Sequence, residues 1–181
     1  MGIPLKHLVG TATIMSLIIA SGLSYSVFTS YIEAEVLRRQ LNQVAEHVAL
    51  NLVEVVSLVN FSNYSSVEPI FKVLKLPQDL GGRSYIIELV NETSRGGGCY
   101  VRARLATRGD VYASSPILLG QGSGLELKTE GEGTIEVQEG AGGTIQWSGK
   151  VYGGVDGFTV WGLMNGTRQE AGIGIWKREG G

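Results

Sequence analysis

The chain has 181 residues, a net charge of −2 and a single cysteine, Cys99. After an N-terminal helical portion, roughly 120 residues remain, enough for one compact domain with its own core. The scattered Lys and Arg lack the electrostatic footprint of a nucleic-acid binder, and one cysteine excludes an intrachain disulfide.

Residues 8–32 contain no Asp, Glu, Lys or Arg. As a helix this run would extend ~37 Å, more than the ~30 Å of a bilayer's hydrocarbon core. Ala12, Ser16, Ala20 and Ser24 recur at i, i+4 within it. They form a stripe of small side chains that lets helix backbones approach closely in lipid. A cleavable secretory signal is the rival reading, with Ala20-Ser21-Gly22 as the cleavage site. Apolar character continues through Leu23, Tyr25, Val27, Phe28, Tyr31 and Ile32, beyond the usual ~7–15 residues, so a membrane span is expected. Lys6 precedes the run, and Glu33 and Glu35 follow it. That asymmetry predicts a cytoplasmic N-terminus and an external C-terminal domain.

From residue 33 to 59 the helical period persists, but the composition becomes amphipathic. Leu37, Leu41, Val44, Val48, Leu52, Val55 and Val59 follow steps of three and four, with charged and polar residues mainly on the other side. No Gly or Pro interrupts the chain between Gly22 and Pro69, which predicts one helix from about residue 8 to 59, ~78 Å long. The pattern specifies burial of one face without specifying its partner, whether the chain's own C-terminal domain or other copies. Together with the small-residue stripe, Leu37, Leu41, Val44, Val48, Leu52 and Val55 form the expected helix-packing interface. His47 is expected to be a helix-flank residue, because a metal site would need further ligands and the other histidine, His7, precedes the span.

A polar stretch at 60–66 marks the boundary to the remaining domain. The predicted organisation is therefore 1–32 as the signal or transmembrane segment, 33–59 as its amphipathic continuation and 60–181 as an extracytoplasmic β domain. Asn60, Asn63, Asn91 and Asn165 each stand in Asn-x-Ser/Thr, as candidate N-glycosylation sites on an external chain.

Of the 27 glycines, all but Gly2, Gly10 and Gly22 lie beyond residue 80. Between Gly-rich turns, strand-like alternation recurs at 85–90, 99–105, 125–128, 134–138, 144–151, 158–163 and 172–177. The expected fold is α+β, a long N-terminal helix followed by an antiparallel β-sandwich or meander. Gly96-Gly97-Gly98 and Gly140-Ala141-Gly142-Gly143 lack a following Lys-Ser/Thr, so they predict hairpin turns rather than phosphate loops. Arg102, Arg104 and Arg108 are expected on a solvated strand face; a basic ladder for an anionic surface or glycan is the sharper alternative. Trp147, Trp161 and Trp176 are expected as core or sheet-face aromatics, and Cys99 as a small buried hydrophobe.

Three features give the chain a resemblance to archaeal type IV pilin-like proteins, a superfamily of pilins, minor pilins and archaellum stator proteins. Gly2-Ile3-Pro4 with Val9-Gly10-Thr11 ahead of the apolar run is similar to their prepilin-peptidase region. The half-membrane, half-amphipathic helix before an all-β domain is the second. The third is the segment Leu76-Pro77 through Gly81-Gly82, Tyr85 and Ile87, similar to the Leu-Pro…Gly-Gly motif that opens a strand after the helix. Nothing basic precedes Gly2, a departure that leaves an uncleaved, permanently anchored protein as the alternative form.

The resemblance implies a non-enzymatic subunit of a cell-surface filament, assembled through its N-terminal helix with its own copies or other pilin-like subunits. A single-pass anchored binding or stator module, holding a cell-surface layer protein without polymerising, is the second reading. The expected partners include the membrane and exclude nucleic acid, and no cofactor or metal is expected. An exported enzyme is the third and weakest class, because the C-terminal domain has no histidine and no recognisable nucleophile motif.

Overall fold

The structure, a computed structural model, describes residues 5–61, 68–92, 98–118, 125–138, 142–165 and 168–178, with side chains from residue 9 onward. Asn63, Gly2-Ile3-Pro4, Gly96, Gly97, Gly140 and Ala141 lie outside the described residues. The chain forms two compact units, Met1–Leu37 and Arg38–Gly181.

One helix, α1 (Leu5–Phe61), makes up the regular structure of the first unit and begins the second. Its length follows from the uninterrupted helical period and the absence of Pro; Gly10 and Gly22 have open space where a side chain would be. Among the described residues α1 is the one helix long and apolar enough to cross a membrane.

The second unit adds ten strands: β1 (Ile70–Val73), β2 (Tyr85–Asn91), β3 (Cys99–Leu105), β4 (Tyr112–Pro116), β5 (Leu125–Leu127), β6 (Glu132–Val137), β7 (Gly143–Ser148), β8 (Lys150–Tyr152), β9 (Phe158–Asn165) and β10 (Arg168–Arg178). They form a six-stranded sheet, β1-β9-β10-β7-β6 with β5 on β10, and a four-stranded sheet, β4-β3-β2-β8. The architecture is α+β, and its pairings are antiparallel except that of β5 with β10.

The run expected as one strand over 144–151 is two. It leaves the six-stranded sheet at Ser148 and joins the four-stranded one at Lys150, turning at Gly149. Gly149 donates to the Gly131 carbonyl at 3.3 Å and accepts from the Leu89 amide at 3.1 Å, joining the sheets at this corner. A side chain at 149 would strike the Thr129 carbonyl, so the corner requires glycine.

Within the second unit, α1 packs on one face of the six-stranded sheet. Register places Phe158, Val160 and Gly162 beside Ile175, Ile173 and Ala171 on that face. A Cβ on Gly162 would lie 3.0 Å from Val59 Cγ2 and 3.2 Å from Val55 Cγ1, so this glycine brings helix and strand close together. The contact is flanked by the Lys72–Glu54 ion pair at 2.7 Å and by Gln169 Nε2 donating to Asn60 Oδ1 at 2.6 Å.

The opposite face of that sheet carries the three tryptophans, and each ring covers a glycine on a neighbouring strand. Trp147 lies over Gly133 and Trp161 over Gly172, both directly opposite in register, while Trp176 reaches diagonally over Gly143. Flat rings laid over the glycines fill the space that missing side chains leave, an arrangement that compensates for strand glycines. Trp161, Ile145 and Val137 are buried there, with Phe71 stacked on Trp176 at 4.7 Å.

Two strands escape the sequence pattern. β1 and β4 are both sheet edges; β1 is four residues long and β4, Tyr-Ala-Ser-Ser-Pro, has too few large apolar side chains to alternate visibly.

Candidate functional site

Residues 9–33 are exposed on every side of the helix. Ile18 is 64% exposed and Leu17 68%, burial far too low for a water-facing helix of this composition. Four of its hydroxyls are satisfied within the helix itself: Thr13 donates to the Val9 carbonyl at 2.7 Å, Ser16 to Ala12 at 2.9 Å, Thr29 to Tyr25 at 2.8 Å and Ser30 to Ser26 at 2.9 Å. Back-bonding of this kind removes the cost of carrying Ser and Thr into hydrocarbon. Ala12, Ser16, Ala20 and Ser24 lie along this exposed segment.

Leu37, Leu41, Val44, Val48, Leu52 and Val55 are all buried. Ala45, Ala49, Asn51 and Val56 are buried as well, which the single-file pattern missed. Doublets such as 44/45, 48/49 and 55/56 widen the covered arc beyond the ~100° separating successive helix residues. The buried Asn51 donates to the His47 carbonyl at 2.7 Å. The small residues Ala45 and Ala49 beside a periodic valine were the available signal, because small side chains permit close packing.

Three of the four candidate glycosylation asparagines are described, and all three are exposed. Asn60 accepts from Gln169, and Asn165 Nδ2 donates to Glu170 Oε1 at 3.4 Å. Asn91 closes β2. His47 is exposed on the helix and borders a groove of about 390 Å³ between Gln40, Gln43 and the segment containing Leu76, Pro77 and Asp79. Cys99 is half-buried at the start of β3, and burial pushes its thiol pKa up, away from the reactive thiolate. Among the described residues no three His, Cys, Asp or Glu side chains gather as a metal-binding group.

The densest polar constellation lies on the outer face of the four-stranded sheet. Register aligns Glu88 of β2 with Arg102 of β3 and Lys150 of β8, and Arg104 with Tyr112 of β4. Glu88 is buried, with its carboxylate 3.6 Å from Arg102 Nη1, 3.6 Å from Arg104 Nε and 4.0 Å from Lys150 Nζ. The Arg102 guanidinium lies over the Tyr100 and Tyr112 rings at 5.3 and 5.5 Å, and Nη2 donates to Tyr100 Oη at 3.1 Å. Arg108 is elsewhere, in the β3–β4 turn, where it donates to Asp110 at 3.3 Å. That bond, aided by the charges of Arg108 and Arg38, holds the Asp110 carboxyl below its usual pKa. The ladder of three arginines is thus a pair around a carboxylate plus a separate turn contact. Glu88 went unassigned in the sequence; its signal was one acid inside the apolar Tyr-Ile-Ile-Glu-Leu-Val run.

No protein-family model, curated protein or solved structure matches the chain.

Proposed function

We propose that the chain is a pilin-like, non-enzymatic subunit of a cell-surface filament, held in the membrane by residues 8–32 before assembly. The observation carrying this reading is the change in burial along α1. It is exposed and uncharged all round through residues 9–32, whereas a broad arc is buried from Leu37 to Val59. A helix apolar on all sides needs lipid or other helices around it, because exposed apolar area costs roughly 25 cal/mol per Å² in water. The small-residue row supports neighbouring helices as partners once the subunit leaves lipid. On this reading the β domain faces outward, where the exposed sequon asparagines are open to glycosylation.

The test is fractionation of native cells into membranes and sheared filaments, with N-terminal sequencing and intact mass of the chain in each. The expected result is recovery in sheared filaments, with yield lost in the double variant Ala12→Leu, Ala20→Leu. Confinement to membranes with Met1 intact, and indifference to both substitutions, would replace the filament subunit with a single-pass anchored binding or stator module.

A further inference from the structure

We propose that the outer face of the four-stranded sheet is a binding site for an acidic polysaccharide, with Arg102 and Arg104 holding its anionic group and Glu88 accepting from a neighbouring sugar hydroxyl. The cluster carries three cations, Arg102, Arg104 and Lys150, against Glu88 and the rim acid Glu92. All the ion-pair distances in it lie between 3.6 and 4.0 Å, too long for charge-assisted hydrogen bonds, which close to about 2.7–2.9 Å. The cationic donors therefore retain capacity for an added anion. Arg102 Nε is enclosed and makes no hydrogen bond to protein, so an anion would meet the part of this side chain that stays exposed, 30% of it.

The shape of the chemistry selects among anions. Glu88 sits at the centre of the cations, so a bare phosphate chain would meet its negative charge and bring no donor to it. A uronic or sulfated sugar brings both an anionic group for the arginines and hydroxyls for the carboxylate. Arg102 and Arg104 are two residues apart on one strand, about 6.8 Å along β3, a separation on the scale of a sugar ring. Tyr112 beside them is 52% exposed and offers an aromatic face to the C–H side of such a ring. The groove lined by Glu88, Arg102, Arg104, Gly109 and Tyr112 encloses about 440 Å³, room for a few sugar units rather than an extended surface.

The experiment is biolayer interferometry of the full chain in detergent against immobilised polygalacturonate, dextran sulfate, neutral dextran and polyphosphate. Binding to at least one acidic polysaccharide is expected, with none to dextran and weaker binding to polyphosphate. Arg104→Gln should weaken it about tenfold to a hundredfold, the range for loss of a hydrogen bond to a charged group. Tyr112→Ala, on an edge strand, should weaken it several-fold with an unchanged melting curve; it retains a folded test should Arg104→Gln unfold the domain. Absence of binding to both acidic polymers, retention of full binding in the two folded variants, or polyphosphate binding as tightly would each overturn the proposal. Because the measurement uses unassembled chains, its outcome is independent of filament formation.

Discussion

The two halves of α1 share a helical backbone and a high apolar content, yet differ in what covers them. In residues 9–33 apolar side chains point in all directions and none is buried; in the second half Glu46, Glu54 and Leu50 stay outside while a wide arc is covered. The comparison separates two demands on sequence. Helix formation needs only local propensity and freedom from Pro, whereas the destination of a helix depends on how its apolar residues are distributed around the axis.

The largest test of that contrast is truncation on either side. Leu52→Ala should destabilise the domain by about 2–5 kcal/mol, the range for a buried leucine leaving a cavity, whereas Leu17→Ala should change its unfolding free energy by less than about 0.5 kcal/mol. Equal losses would show that the exposed half is structurally part of the domain. The reverse experiment places a charge at mid-span. Ile18→Arg should cost about 3–4 kcal/mol of membrane insertion, read as loss from the membrane fraction, with the melting curve of the β domain unchanged.

A smaller effect is expected at the contact between helix and sheet. Gly162→Val should cost about 1–3 kcal/mol by overpacking, since Val55 and Val59 already occupy the space. A neutral result in chemical denaturation would mean the helix can shift away from β9.

The smallest effect concerns the segment beside the helix. Tyr85 is fully buried, its hydroxyl donates to the Pro77 carbonyl at 2.7 Å, and burial pushes its pKa up from 10.0 to about 12. The folded state therefore keeps a proton that the unfolded chain gives up earlier. This contribution is complete below pH 10 and is lost as pH rises from 10 to about 12. Tyr85→Phe should cost about 1 kcal/mol at neutral pH through the lost hydrogen bond. The stability difference between wild type and variant should shrink over that alkaline interval; a constant difference would contradict the assignment.

Much of the fold was legible because it is written in local periods. The apolar run, the stripe from Leu37 to Val59 and the alternation in β3 and β6 each follow directly from spacing. β1 and β4 were not legible, since a short edge strand needs few buried side chains, and β4 carries mostly small ones. The outer-face cluster was half visible: Arg102 and Arg104 stood out by alternation, while Glu88 acquired meaning only when pairing brought β2 beside β3.

By itself the sequence determined that an uncharged helix would lead into a β domain, because helix and strand periods are properties of neighbouring residues. The partner of the amphipathic stripe was left to tertiary structure. So were the change of sheets at Gly149, the parallel seating of β5 on β10 and the cover of each tryptophan over a glycine across the sheet. Those features depend on residues distant in the chain meeting at one place, and only the packed fold specifies where they meet.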